Sequence, residues 1–231
     1  MSEPQRVHER RPGVAAVYDR VARLYDRVAA VWDRTAGGAA AEHFRRLVKW
    51  YARPGARVLD VGAGTGRTIA LLLDRSEPGC LVGIDLSAEM LGQARARLVD
   101  PRVHLVRADA TRLPFLDDTF DVVTSMWMLE TLPEPLSGLR ELLRVLQPDG
   151  TVLTCFSTLP PGRVRQLGAR LIQLVMQAGF AGRFLPDEER PLHTCTMSCA
   201  HRYEHDLATV ATFGKRCELS AIPELRGLQA K

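Results

Sequence analysis

Apolar residues recur at helical spacing through Val14, Val17, Tyr18, Val21, Leu24, Tyr25, Val28, Val31 and Trp32. The period predicts a long amphipathic helix with Asp19, Arg20, Arg23, Asp26, Arg27, Asp33 and Arg34 on its other, polar side. Gly37-Gly38 breaks it. Phe44, Leu47, Val48 and Tyr51 then mark one face of a second helix, which ends near Arg53-Pro54-Gly55. Beyond this point short apolar runs alternate with helical stretches. Strands are expected near 57–61, 81–85, 103–107, 120–125 and 150–156, and helices over 66–75, 87–98 and 135–147. Ser87 is the predicted N-cap of the middle helix, and Gln147-Pro148-Asp149-Gly150 stops the last one and turns into the fifth strand. Such alternation predicts a parallel sheet with helices on both faces and a ligand at the carboxyl ends of the strands.

After Pro160-Pro161-Gly162 an amphipathic helix is expected from Arg163 to Ala178. It sets Val164, Leu167, Leu171, Leu174 and Val175 against Arg163, Arg165 and Arg170. It reads either as a core-packing helix or as one lying on a membrane surface. Leu192–Cys199 and Leu207–Phe213 read as two strands joined through Tyr203-Glu204-His205-Asp206.

The first strand runs into Asp60 and then into Gly62, Ala63, Gly64, Thr65 and Gly66. Glycine permits a tight turn and close approach to a ligand, and the loop opens a helix, so its free N–H groups are expected to face that ligand. A dinucleotide loop reads G-x-G-x-x-G and holds a pyrophosphate. Here the spacing is G-x-G-x-G, and Asp60 stands just before it. A carboxylate there repels phosphate but attracts a cofactor carrying an ammonium and a sulfonium, as S-adenosylmethionine (SAM) does. Asp85, at the end of the second strand, suits ribose hydroxyls, and Asp109, at the end of the third, suits an adenine amino group.

Five ordered segments carry a family resemblance: Val58–Gly66, Gly83–Leu91, Asp109–Phe115, Phe120–Val123 and Glu141–Gly150. Together they resemble the class I SAM-dependent methyltransferases, in the branch of the ubiquinone and menaquinone biosynthesis enzymes. The resemblance implies an α/β, Rossmann-like, seven-stranded, mostly parallel sheet whose last strand is antiparallel. It also implies an N-terminal helical lid (1–53), a SAM-binding core (54–157) and an acceptor-side helix with a strand pair (158–231), all in a single domain. The implied cofactor residues are Asp60, Gly62, Ala63, Gly64 and Gly66 at the methionine end and Asp85 at the ribose. Leu86, Met90, Asp109 and Ala110 would lie around the adenine, and the Met126 backbone near the amino group. The product would be S-adenosylhomocysteine (SAH).

Methyl transfer from a sulfonium is a displacement with an already activated leaving group. Alignment supplies most of the catalysis, and a base is needed only if the acceptor must lose a proton. Where many relatives have Leu-His-His-Leu, this chain has Leu129-Glu130-Thr131-Leu132. Glu130 either orients or deprotonates the acceptor or simply begins a helix in solvent. Tyr18-Asp19 and Tyr25-Asp26 match a pattern of the branch's N-terminal helix, so Tyr18 or Tyr25 either closes over the sulfonium or packs on the core. His193, Cys195, Met197, Cys199 and His201 share a parity, but the reading is of small thiols inside a sheet, with no metal expected.

Composition removes other classes. The net charge of +4 comes from 31 Lys and Arg interspersed with 27 Asp and Glu, so no basic arm points to nucleic acid. No run of apolar residues is long enough for a transmembrane helix, although peripheral membrane contact stays open, and the five scattered cysteines suit a reducing cytoplasm. No internal repeat or low-complexity tract is apparent. The function expected is methyl transfer to a small or lipid-like acceptor: a quinone precursor, a phospholipid headgroup or a natural product. The alternative is a SAM- or SAH-binding sensor or partner subunit without transferase activity.

Overall fold

Strand β1 (Arg57–Val61) lies inside the sheet and is buried from Val58 onward. The computed structural model describes residues 13–35, 37–160, 166–167, 169–170, 172, 182–185, 200–205 and 207–214. Two helices, α1 (Val14–Thr35) and α2 (Gly38–Tyr51), precede β1. Then follow α3 (Arg67–Arg75), β2 (Cys80–Asp85), α4 (Ala88–Arg97), β3 (Val103–Arg107), β4 (Phe120–Met126), α5 (Pro135–Val145), β5 (Leu146–Ser157), β6 (Ala200–His205) and β7 (Ala208–Phe213). The seven strands form one sheet in the order β3-β2-β1-β4-β5-β7-β6. β1 to β5 pair in parallel, and β7 runs antiparallel to both of its neighbours. This is the expected mixed sheet with its reversed last strand.

Successive strand residues point to opposite faces, and the two cores follow that alternation. Val58, Leu81, Val122 and Leu153 share one core with Phe44, Leu47 and Val48 of α2 and Ile69 and Leu72 of α3. Leu59, Val82, Val123 and Val152 share the other with Leu139, Leu142 and Leu143 of α5. Each fully buried side chain of this kind contributes roughly 1.5–3 kcal/mol. That magnitude separates the two N-terminal helices. α2 buries Ala40, Ala41, Phe44, Leu47 and Val48, whereas α1 buries only Ala22 among its described side chains. Apolar burial anchors α2 firmly but does little for α1.

Two boundaries differ from expectation. β5 begins at Leu146 rather than 150, because Phe120 pairs with Leu146 and pairing resumes only at Val122 with Thr151. The intervening Gln147–Gly150 bulges out where Pro148 has no N–H to give a ladder. β6 contains Tyr203, Glu204 and His205, which the sequence reading placed in the connection. Its pairing with β7 runs to His205 opposite Ala208. The polar look of this stretch belongs to an edge strand. Arg202 and Glu204 face solvent as a 3.1 Å ion pair, and Tyr203 stacks 4.0 Å from the His43 ring of α2. The expected strand over 192–199 and most of the helix over 163–178 lie outside the described residues; 166–167, 169–170 and 172 are helical.

Candidate active site

Strand order reverses between β1 and β4, and a crevice opens there beyond the strand ends. It holds a cavity of about 350 Å³. Gly62, Gly64, Asp85, Leu86, Met90, Asp109, Ala110 and Met126 line it, and Tyr18 and Tyr25 of α1 cover it. The structure therefore brings together ten of the residues named from sequence. Four others are placed elsewhere. Ala63 lines only a smaller adjoining cavity, and Gly66, Asp60 and Glu130 are on neither wall.

The glycine loop corrects one expectation. Its N–H groups do not point outward as an anion cradle. Gly62 and Ala63 donate to the Ile84 carbonyl at 2.9 and 2.8 Å, and Gly66 donates to the Ala63 carbonyl at 2.8 Å. Gly64 donates to Asp85 Oδ2 at 2.8 Å. Four of the loop's donors are thus engaged within the protein rather than held out for a pyrophosphate, which adds to the argument from charge. Gly62 has φ +78°, and an added Cβ would lie 2.6 Å from Met128 Cβ. Gly62→Ala is therefore expected to destabilise the protein by about 1–3 kcal/mol and to weaken donor binding at least tenfold by shifting the cavity wall. Denaturant unfolding and calorimetric titration with SAM would measure both; unchanged affinity would contradict it.

Three carboxyl groups differ in how they are held. Asp85 accepts from Gly64 and Ser87 N–H groups (2.8 and 2.9 Å), yet burial still raises its pKa, helped by nearby Asp19. Asp60 is 1% exposed, so the attracting charge expected at the cavity wall sits just beneath it. Thr124 Oγ1 donates to its Oδ1 at 2.7 Å, while Oδ2 has no partner. Burial pushes its pKa up to about 7, the Thr124 bond opposing and Asp85 adding to the rise. Glu130 lies within a single 3-10 turn after β4 and is 2% exposed, which rules out the solvent-facing helix start. Its Oε1 accepts from the Ser157 N–H and hydroxyl at 3.1 and 3.0 Å, and Oε2 has no partner. Burial raises it to about 7 against those bonds. Buried, half-satisfied carboxylates are costly, and two beside one cavity mark a functional site.

Tyr18 and Tyr25 are not bases. Burial lifts Tyr25 to about 12 and Tyr18 well above its ordinary value, with Glu130 and Asp85 adding to both, so both phenols stay protonated at neutral pH. Their rings meet edge-on at 6.1 Å.

The aspartates of α1 correct a second expectation. Judged by apolar period alone, Asp19, Asp26 and Asp33 belong to the polar, solvent side. The structure turns all three inward. Asp19 Oδ1 accepts from Ser87 Oγ at 2.5 Å and the Glu89 N–H at 3.3 Å. Asp26 accepts from Thr65 Oγ1 at 2.6 Å and pairs with Arg97. Asp33 pairs with Arg67 at 2.5 Å and Arg45 at 3.6 Å. The signal was present as Tyr18-Asp19-Arg20, Tyr25-Asp26-Arg27 and Trp32-Asp33-Arg34, a short repeat seven residues apart that keeps each triplet on one helix face. These latches add to the partial apolar burial of α1. Burial opposes the ionisation of Asp26, but its bonds to Thr65 and Arg97 overcome this and hold its pKa below the ordinary value. Asp26→Ala is expected to loosen α1 by about 1 kcal/mol, seen as faster amide exchange confined to Val14–Thr35. Uniform exchange changes across the sheet would contradict a local latch.

Two further residues carried no sequence signal for their role. Trp127 lines the cavity with φ +59°, an unusual conformation for a bulky residue, and donates its N–H to the Cys155 carbonyl at 2.7 Å. Trp32 meets it edge-on at 5.9 Å. The smaller cavity lies beside the glycine loop, lined by Asp33, Arg45, Arg67 and Thr68. Its two guanidinium groups suit a carboxylate, and the unpartnered Asp33 Oδ1 suits an ammonium, which is the charge pattern of a free amino acid end.

Comparison with known proteins agrees with this geometry. Residues 59–154 match the family described as "Methyltransferase domain". A demethylmenaquinone methyltransferase of Clavibacter sepedonicus is 41% identical over 152 residues, covering 58% of this chain and 61% of that protein. A malonyl-[acyl-carrier protein] O-methyltransferase of a Marinomonas species is 40% identical over 111 residues, covering 48% and 40%. The chain spans about half the length of the curated relatives it matches. Among solved structures, a methyltransferase complexed with the Haloferax volcanii Trm112 activator aligns with TM-score 0.65 at 20% identity, covering 87% of this chain and 98% of that one, and so shows the shared fold. Residues 59–154 are thus similar to a methyltransferase domain, the chain resembles the class I SAM-dependent methyltransferases in sequence and fold, and SAM is the cofactor that such a domain implies. The unpartnered Asp60 Oδ2 and the satisfied loop donors fit that cationic donor.

Proposed function

We propose that this protein transfers a methyl group from SAM to an apolar ring compound with an acidic hydroxyl, of the quinol-precursor type. The observation that carries this is the buried Glu130, whose Oε2 has no partner and whose pKa of about 7 suits accepting a proton near neutral pH. The bound cofactor supplies an electrophilic methyl group. Asp60 and the smaller cavity hold its charged end, Asp85 and Asp109 its ribose and adenine. Tyr18 and Tyr25 exclude water, and Glu130, buried behind the cavity wall and within electrostatic reach of both phenols, is the group that takes up the acceptor's proton, which raises electron density on the ring. The demethylmenaquinone methyltransferase relative supports a quinone-type acceptor. The cavity lining adds to this: among the described residues it contains no Lys, Arg or His, so a phosphate or carboxylate acceptor would enter without a counter-charge.

Labelled SAM incubated with the protein and reduced demethylated naphthoquinone, phospholipid or malonyl thioester tests the choice. Label should appear in the quinol fraction. Label in either anionic acceptor would overturn the acceptor assignment, and binding of SAM without transfer to any compound in a whole-cell extract would overturn the transferase reading.

A further inference from the structure

We propose that the outer face of α1 docks on an anionic lipid bilayer. The inward turn of Asp19, Asp26 and Asp33 leaves α1 with no acid on its outer side, because these are its only acidic residues. What remains outside is Arg20, Arg23, Arg27 and Arg34, all exposed and none in an ion pair among the described residues. Beside them run Leu24, Val28 and Val31, which are 56%, 41% and 56% exposed. With 3.6 residues per turn, these seven positions fill one continuous arc of roughly 140°. A solvated helix would commonly pair its arginines with acids three or four residues away; here the acids face the other way.

An arginine row beside an aliphatic stripe, both along the helix axis, is the composition of a helix lying in a membrane interface. The aliphatic side chains enter the acyl boundary while the guanidinium groups meet lipid phosphates. A second copy of the chain fits poorly, since a two-fold contact would set arginine row against arginine row with no acid between them. A nucleic acid would leave Leu24, Val28 and Val31 against a sugar–phosphate surface with no aromatic residue on the arc to stack. The inner face of the same helix contributes Val14, Tyr18 and Tyr25 to the cavity wall. Docking would therefore place the cover of the site at the lipid surface, whatever acceptor the cavity takes.

The test is co-sedimentation of the full chain with vesicles of phosphatidylcholine alone or mixed with phosphatidylglycerol. The protein should sediment with the anionic vesicles, stay in solution with the neutral ones, and be released by salt. Arg23→Gln with Arg27→Gln should weaken binding roughly 30-fold, at about fivefold for each charge. Leu24→Ser with Val31→Ser should abolish the part that resists salt. SAM affinity and helix content, unchanged in both double variants, control for folding, since none of the four side chains lines either cavity. Failure to bind anionic vesicles would overturn the proposal. So would binding that neither double variant alters, or variants that convert a dimer to a monomer, which would assign the face to a second copy. Because vesicle binding is read without methyl transfer, its failure leaves the proposed activity standing, and the converse holds.

Discussion

Replacing Glu130 by Gln lowers turnover by about 10²–10⁴-fold while SAM affinity stays near that of the parent. Gln keeps the oxygen that accepts from Ser157 at 3.1 and 3.0 Å, so the turn after β4 is preserved and only the proton acceptor is lost. The pH profile isolates that loss. With Glu130 at about 7, log kcat should climb with unit slope below that value and level off above it, and the Gln variant should lose this limb. Stability gives an independent check with the opposite sign. The folded-state pKa lies above the ordinary carboxyl value, so the folded protein binds the proton more tightly. The contribution is fully present below about 4.5 and is lost as pH rises through about 7. Glu130→Gln should therefore flatten the fall in unfolding free energy between those limits. Parental turnover with an unchanged profile would remove Glu130 from the mechanism.

The sheet was legible because each strand declares itself twice, by a short apolar run and by the helix or turn that follows. Ser87 capping α4 through its bond to the Met90 N–H at 3.1 Å is a local signal with a local outcome. Where a role depends on distant parts of the chain, the sequence was mute. Whether Glu130 faces solvent or is buried depends on Ser157, 27 positions away. The loop N–H groups look free until the Ile84 carbonyl and Asp85 from the next strand claim them. In α1 the hydrophobic period misleads for a different reason. It assumes that charged residues seek water, whereas Asp19, Asp26 and Asp33 find donors on α2, α3, α4 and the turns that precede them and so occupy the inner face. A period-seven polar repeat inside an amphipathic helix is therefore as informative as the apolar stripe, because it implies a partner surface with matching charge.

The second large effect concerns the donor. In the free protein Asp60 titrates near 7 because burial disfavours its charge. A bound sulfonium or ammonium favours that charge, so binding and ionisation are coupled, and SAM affinity should rise as pH increases through about 7. Below that pH binding should release a proton, measurable by titration calorimetry in buffers of different ionisation heat. Asp60→Asn keeps the oxygen that accepts from Thr124 but removes the charge. An opposite charge close by commonly shifts a carboxyl pKa by about 1–3 units, so SAM affinity should drop on the order of 10–100-fold and lose its pH dependence. SAH retains the ammonium but carries neutral sulfur. If Asp60 serves the sulfonium, the variant discriminates less between SAM and SAH; if it serves the ammonium, both weaken equally. An Asn variant that binds both as the parent does, with the same pH dependence, would mean that the buried carboxyl does not recognise the donor's charge.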